Sequence, residues 1–318
     1  TTKLRGMLEI VSSASEFETV PIRRHEDVLL RRIYDRMPLK LDKIQFENPF
    51  HKTFVLLQAH FSRLTLPADL AQDQRDILNR VLTLLNACVD VMSSGAMLNA
   101  IVAMEISHMC VQAVWDRDSP LRQVPHFTAA TIQRCQARGI HDVYALADVL
   151  PDMSQHERDE LLQLNKRQLA DVATLTNEFP YVDIEFDILD KEKLDSASTI
   201  ILQAKLERDV DEEEEEPSDP TAIAPFYPSP KMTAWWLVIG DPGTNSLLSI
   251  KRVTIAKTLD VRLEFMLPAG MHDKLKLYLM CDSYIGADRE LEVPALHVAQ
   301  GEEDEELDDE DNIEMPDA

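Results

Sequence analysis

The stretch AWWLVIGDPGTNSLLSIKRV (residues 234–253) places two apolar runs on either side of a loop that contains Gly and Pro. This pattern predicts two antiparallel strands joined by a hairpin. On a strand, consecutive side chains point to opposite faces. Trp235 and Trp236 therefore cannot both enter the same core.

The side chains that share a face with each tryptophan indicate which face of the strand enters the core. Trp235, Leu237 and Ile239 form the more uniform apolar set, so we predict that they fill the core between two sheets. Trp236 and Val238 then face outward, which makes them a candidate packing or partner surface. A strand that is apolar on both faces needs a cover on its outer side. We expect the helical part of the same chain to be that cover, with a partner protein as the alternative.

The hydrophobic period changes at Pro180. After it, apolar and polar residues alternate, as in VDIEFDI (182–188), and seven such strands follow without an intervening helix. Before it, apolar residues recur every three or four positions and predict helices. Among these are a long helix at 70–94 and a buried bundle helix at 96–115.

The predicted fold is a multidomain mixture of α and β structure. It begins with an all-α helical bundle (1–122) and a small helix-hairpin-helix-like helical module (123–180). An antiparallel β-sandwich of immunoglobulin or fibronectin type III kind follows (181–299). An acidic loop insertion (209–220) interrupts this sandwich, and a disordered acidic tail (300–318) ends the chain.

The formal net charge of −25 is concentrated in two runs. Residues 209–219 carry eight acidic residues and residues 301–318 carry eleven, which leaves −6 for the rest of the chain. Such runs repel themselves and are solvated. They argue against tight, non-specific binding of phosphate groups, which requires clustered Lys and Arg.

The four cysteines are scattered, without a C-x-x-C pair or a nearby His at ligand spacing. This favours reduced, mostly buried thiols in a cytosolic or nuclear protein over disulfides or zinc. No apolar stretch reaches the ~20 residues needed to cross a bilayer. Because the first residue is not Met, we expect the sequence to be a fragment of a longer chain.

No catalytic constellation is visible. The loop GDPGTNS (240–246) is followed by a second strand and lacks the Lys of a phosphate-binding loop, so a hairpin loop is the better interpretation. His108 lies in an apolar helix and is predicted to be a core or interface histidine. The sequence therefore predicts no catalytic residue, no metal site and no cofactor in this chain.

Contact with nucleic acid is the second interpretation that the sequence raises. Residues 1–65 carry a local net charge of +3, much of it around PIRRHEDVLLRRIYDR (21–36). A solvated helix explains this charge, and a docking or RNA-facing surface is the alternative. The segment PHFT (125–128) lacks the Gly-x-Gly with which helix-hairpin-helix modules hold phosphates, which favours a structural role for that module.

The order of the parts, together with three motifs, resembles a known family. With PIRRHED (21–27), PHFT (125–128) and WWLVIGDPGTNSLLSIKRV (235–253), the chain resembles the Sec63 homology unit across nearly its whole length. That unit follows the helicase core in a group of large RNA helicases and also occurs in a translocon subunit of the endoplasmic reticulum.

The likeness to the C-terminal unit of the spliceosomal helicases implies a function. It implies a nuclear, non-catalytic interaction and scaffolding module of an ATP-dependent RNA helicase that unwinds paired small nuclear RNAs during pre-mRNA splicing. ATP and Mg²⁺ would bind the parent chain's RecA-like domains. The alternatives are an RNA-contacting module that assists unwinding, or the related translocon unit.

The same resemblance implies partners. The bundle would pack against the helicase domains of the same chain, and other spliceosomal proteins would bind as well. RNA contact would be weak or absent, and no membrane would be involved. The residues that the resemblance offers for helicase-domain docking are Arg23, Arg24, His25, Glu26 and Asp27.

Overall fold

A computed structural model describes residues 2–210 and 220–301 of the chain. Helices occupy the first part and antiparallel strands the second, so the mixed α and β architecture is confirmed. The predicted acidic stretches fall largely outside the described residues, which exclude 211–219 and 302–318. The α-helices are α1 (Thr2–Ser12), α2 (Asp27–Asp35), α3 (Pro49–Phe61), α4 (Ala68–Ser94), α5 (Ala100–Gln112), α6 (Ala129–Ala137), α7 (Val143–Val149), α8 (Gln155–Leu162) and α9 (Lys166–Glu178).

Local signals in the sequence explain where several helices start. Asn48 caps α3 by accepting a hydrogen bond from the Phe50 backbone N–H, and Pro49 occupies the first helical position. Helix α8 begins with the predicted capping box between Ser154 and Glu157. None of the helices in the described part of the chain is both long and apolar enough to cross a membrane.

The helix predicted at 96–115 was too long, since α5 covers only Ala100–Gln112. Its predicted first turn instead pairs with the sheet region. The Leu98 backbone N–H donates to the Asn245 carbonyl (3.1 Å), and the Leu247 N–H donates to the Ala96 carbonyl (2.9 Å). At the other end Ala113 adopts a left-handed conformation (φ 51°), which stops the helix.

The strands of the second part form three antiparallel sheets. The orders are β1-β2-β5, β4-β3-β7-β8 and β6-β9. The strands are β1 (Val182–Ile188), β2 (Ile200–Arg208), β3 (Trp235–Asp241), β4 (Ser246–Val253), β5 (Thr258–Phe265), β6 (Gly270–His272), β7 (Lys276–Cys281), β8 (Arg289–Glu292) and β9 (Leu296–Val298).

Nine strands lie within the described residues, where the sequence predicted seven. The predicted last strand is divided into β8 and β9, with Pro294 between them. Proline has no backbone N–H to donate to a sheet ladder, so it interrupts the strand. After this break β9 pairs with β6, a short strand that the alternation pattern did not reveal.

Two hydrophobic cores hold the described residues together. One is the interior of the helices α1–α5, which also contains side chains from the outer faces of β3 and β7. The other joins the small helical module α6–α9 to the inner faces of the two larger sheets. The small module therefore shares its core with the sheets, whereas the bundle meets the sheets across a seam.

Strand β3 contributes to both cores. Trp235, Leu237 and Ile239 lie in the core between the sheets, as the alternation predicts. Trp236 and Val238 lie against the bundle, where they are 3% and 0% exposed. The cover of the outer face is thus the helical part of the same chain.

For strand β7, the predicted alternation of buried and exposed side chains was wrong. Tyr278 and Met280 belong to the bundle core, whereas the alternate residues Leu277, Leu279 and Cys281 belong to the core of the sheets. Beyond Val238, Gly240 completes the seam. A Cβ at Gly240 would lie 2.6 Å from both Leu98 Cδ1 and the Ser246 carbonyl oxygen, and because the backbone oxygen cannot rotate away, the packing here requires glycine.

We predict that Trp236→Ala lowers the free energy of unfolding by about 3–5 kcal/mol, because it leaves a cavity in the seam. Urea unfolding of the chain measures this loss. Met271→Ala is the matched control, since Met271 is 63% exposed on β6, and it should change stability by less than about 0.5 kcal/mol. Equal stability of Trp236→Ala and the control would contradict the burial of Trp236 between the bundle and the sheets.

Candidate interaction surfaces

The segment offered for helicase docking forms the approach to α2 and splits into a buried and an exposed half. Arg23 and Glu26 turn toward the bundle. Arg23 donates to Asp73 of α4, with its Nη2 2.9 Å from Asp73 Oδ1, and to Glu26 Oε1 at 3.1 Å. These residues are therefore structural in the described chain.

Lys52 of α3 lies at the centre of this network and is fully buried. Its ammonium group donates to Glu26 Oε2 (2.7 Å), Asp73 Oδ2 (2.7 Å) and the Pro21 carbonyl (2.5 Å). A buried charge is tolerated only when it is paired and hydrogen-bonded. Two cations and two carboxylates meet this condition and connect the 21–27 segment to both α3 and α4.

The network shifts the pKa values of Asp73 and Arg23. Burial alone would raise the pKa of Asp73, but the hydrogen bonds and charges of Arg23 and Lys52 outweigh burial and lower it. Asp73 in turn raises the pKa of Arg23. Both shifts favour the ionised forms, so Asp73 and Arg23 remain charged throughout the neutral range.

The exposed half of the segment consists of Ile22, Arg24, His25 and Val28, which we call the 22–28 patch. Ile22 is 39% exposed and Val28 53%, and Arg24 and His25 are also exposed. His25 has a positive φ of 67°, which is uncommon for a residue with a side chain. Asp27, the fifth predicted residue, is half-buried at the first position of α2.

Trp236 lies in a second network, at the seam between the bundle and the sheets. The Arg252 guanidinium carbon lies 3.8 Å from the centre of the Trp236 ring, which is a cation–π contact. Asp282, whose side chain is 2% exposed, accepts hydrogen bonds from Arg252 (2.5 Å) and from Lys231 (2.7 Å). Arg252 therefore covers the tryptophan while its own charge is paired.

Sequence reasoning missed Arg252 because of the hairpin register. Regular pairing outward from Asp241 and Ser246 would place Lys251 opposite Trp236. The structure has a register shift between Ile239 and Gly240, and this bulge brings Arg252 opposite Trp236 instead. A β-bulge inserts one residue into one strand, and nothing in the sequence of this hairpin marks its position.

Polar contacts also join α5 to the sheets. Gln112 Nε2 donates to the Ser283 carbonyl (2.7 Å) and the Ile223 carbonyl (3.1 Å). His108 Nδ1 lies 3.2 Å from the Cys281 carbonyl oxygen and 3.8 Å from the Asp288 carboxylate, whose pKa is raised by burial. His108 is thus an interface histidine, as the sequence predicted.

The arginines of α4 form hydrogen bonds within the chain. On α4, Arg80 donates to the Glu16 carbonyl (2.9 Å) and Arg75 to Gln72 (2.7 Å). Across 2–210 and 220–301, no group of three or more His, Cys, Asp or Glu side chains is arranged to hold a metal ion. The four cysteines are free thiols.

We predict that Asp73→Asn lowers the free energy of unfolding by about 3–5 kcal/mol, because it leaves buried Lys52 short of a counter-charge. It should also change the pH dependence. With a folded pKa below its unfolded value of about 3.9, Asp73 makes the native state lose stability as pH falls from about 4 through the folded pKa. Urea titrations at a series of acidic pH values should show a shallower loss in the variant.

The double variant Lys52→Met with Asp73→Leu serves as the control, since it removes a buried pair and leaves Arg23 with Glu26. We expect it to recover most of the stability that Asp73→Asn loses. A double variant that is less stable than Asp73→Asn would show that shape, and not charge pairing, holds this region.

Comparison with known proteins gives the same family over nearly the whole described chain. The family model described as the Sec63 Brl domain matches residues 1–294. The chain is 46% identical over 292 residues to the pre-mRNA-splicing factor brr2 of Schizosaccharomyces pombe, a match that covers 92% of this chain and 13% of that protein.

Two further relatives extend the comparison. The chain is 42% identical over 308 residues to the U5 small nuclear ribonucleoprotein 200 kDa helicase of Homo sapiens, covering 96% of this chain and 14% of that protein. It is 40% identical over 299 residues to an activating signal cointegrator 1 complex subunit 3-like protein of Dictyostelium discoideum, covering 92% and 13%. The chain thus spans about an eighth of the length of these relatives, and it belongs to the Sec63 Brl domain family.

Proposed function

We propose that the chain is a non-catalytic interaction and scaffolding module of an ATP-dependent spliceosomal RNA helicase. The observation that carries this proposal is the 22–28 patch. Exposed apolar and basic side chains stand on a segment that three buried charged groups and the half-buried Arg23 hold in one conformation. A rigid surface of this kind binds a partner without the cost of ordering a loop.

The relatives' names, which describe a splicing factor and a U5 ribonucleoprotein helicase, support this choice of parent protein. In this proposal the parent unwinds paired small nuclear RNAs in the nucleus, and ATP and Mg²⁺ bind its helicase domains. The partners of the module are those domains and other spliceosomal proteins. The translocon alternative would instead place membrane helices upstream of this unit, so the preceding sequence separates the two.

The finer architecture belongs to the same proposal. We assign the sheets β1-β2-β5 and β4-β3-β7-β8 to one immunoglobulin-like or fibronectin type III-like sandwich, because both contribute to a single core. We assign α6 and α7, joined through Gly139 at φ +78°, to a helix-hairpin-helix-like unit. Its structural role is supported by the core that it shares with the sheets.

Docking in trans tests the proposal. The chain is mixed with the parent helicase truncated before this unit, and binding is measured by calorimetry. We predict that Arg24→Glu with His25→Glu weakens binding at least about tenfold, or about 1.4 kcal/mol, because it reverses the charge of the patch. Both side chains are exposed, so the fold should survive.

Arg262→Glu is the matched control, since Arg262 is also an exposed arginine but lies on β5. It should leave the affinity unchanged. Equal losses from both variants would reject the patch as the docking surface. ATP hydrolysis by the isolated chain at a rate comparable to the helicase would reject the non-catalytic part of the proposal.

RNA contact is the second candidate function, and the exposed cations of α2 favour it. Arg31, Arg32 and Arg36 are exposed on or just after this helix, close in sequence to Arg24. Exposed carboxylates at Asp35 and Asp42 interrupt the positive surface. This mixture is unlike the continuous basic stripe of most RNA-binding faces.

We predict weak binding of single-stranded RNA at about 100 mM salt, because few phosphates can be neutralised at once. Fluorescence anisotropy over a series of salt concentrations measures this. Tight binding with a steep salt dependence that Arg31→Glu and Arg32→Glu abolish would establish the RNA function in place of scaffolding.

A further inference from the structure

A long apolar groove lies on the bundle between α1 and the second half of α4, on helix faces that the docking proposal does not use. Its volume is about 640 Å³, and Gly6, Ile10, Ala87, Val91 and Met97 are among its lining residues. Ile10 is 62% exposed, Val91 71% and Met97 39%. Large apolar side chains gathered in one exposed groove mark a binding site more often than isolated ones do.

The walls of the groove exclude most kinds of occupant. Both long walls are helices, so no free sheet edge offers backbone hydrogen bonds to an extended peptide. Among the lining residues only Lys3 and Asn99, at one end, carry strongly polar side chains. An occupant must therefore satisfy its own backbone, and an α-helix does so.

The dimensions of the groove suit a helix. The lining residues on the α1 side run from Lys3 to Ala14, which is about 16 Å along a helix axis, or three turns. Three turns present apolar side chains at i, i+4, i+7 and i+11, the usual anchors of a helix in a groove. The floor of the groove has the smallest side chains at Gly6 and Ala87. At Gly6 an added Cβ would meet nothing within 4 Å.

The charged residues on the two rims of the groove determine which kind of helix it can bind. Glu9 follows Gly6 by three residues on α1 and lies 3.5 Å from Arg5 Nη2, and Asp90 follows Ala87 by three on α4. An exposed carboxylate therefore flanks the groove on each side, and the one on α4 has no ion pair among the described residues. Glu16, also exposed, lies beyond the end marked by Ala14. A partner with basic residues beside its apolar stripe matches these rims.

We propose that this groove binds an amphipathic helix of another protein, about three turns long, with an apolar stripe flanked by Lys or Arg. The inference deepens the proposed role as an interaction module and rests on it. The partner helix lies parallel to the axes of α1 and α4 and places its apolar stripe over Gly6 and Ala87.

The probe is a synthetic peptide of about 16 residues with Leu at i, i+4, i+7 and i+11 and with Lys at the flanking positions. A twin peptide carries Glu in place of every Lys. Anisotropy of the labelled peptides with the 318-residue chain at roughly 50 mM salt measures the affinities. We expect the Lys peptide to bind at least about tenfold more tightly than its twin.

Two variants in the groove distinguish binding at this site from non-specific binding of the peptide. Gly6→Phe fills the floor and Val91→Asp places a charge in it, and each should weaken the Lys peptide at least about tenfold. Gly6→Ala, which leaves the groove open, and Met271→Asp, an equally exposed apolar residue on β6, should bind as the unchanged chain does. The two controls also show that a change at Gly6 or a new carboxylate is not itself disruptive.

Four results would overturn the proposal: no binding of the Lys peptide, equal binding of the Glu twin, unchanged binding by both groove variants, or a site occupied by something else. The last would appear as self-association of the chain in sedimentation, or binding to anionic vesicles, that Val91→Asp abolishes. The docking experiment involves the 22–28 patch and not this groove. Failure of the peptide to bind therefore leaves the docking result standing, and the reverse also holds.

Discussion

Strand β3 is buried on both of its faces, and the arrangement of the two halves of the chain depends on this burial. One face closes the core between the sheets, and the other closes the core of the helical bundle. Burial of apolar surface supplies most of the stability of a domain. Since one strand supplies side chains to both cores, the bundle and the sheets stabilise each other, and the seam between them behaves as an interior and not as a surface.

The polar contacts at this seam explain why its geometry is specific. Hydrophobic burial has no direction, whereas the hydrogen bonds of Gln112 to the Ser283 and Ile223 carbonyls fix how α5 lies on the sheets. Arg252 adds a guanidinium plane over Trp236 and anchors it to buried Asp282. The bundle therefore presents its remaining surfaces, including the 22–28 patch and the α1–α4 groove, in a fixed orientation relative to the sheets.

Alternation of period two was enough to assign Trp235 and Trp236 to opposite cores, because strand geometry alone dictates it. Helix caps such as Asn48 and Ser154 could also be predicted, since a cap bonds to a residue only two or three positions away.

The network of Lys52 and Asp73 could not be predicted from the sequence. These residues are far apart in the chain, and a lysine in an apolar helix looks like an exposed one until the packing of α3 against α4 is known. The position of Arg252 depends on a bulge, and the shortened α5 depends on pairing with residues about 150 positions later.

The close approach at Gly240 has a consequence for biosynthesis. Leu98, which packs there, precedes Trp236 by 138 residues. At about 5–20 residues per second, the ribosome needs roughly 7–28 s to supply β3, the strand whose outer face covers the bundle. For that interval the bundle has no partner for one apolar side, and nascent-chain chaperones have time to bind it before the sheets form.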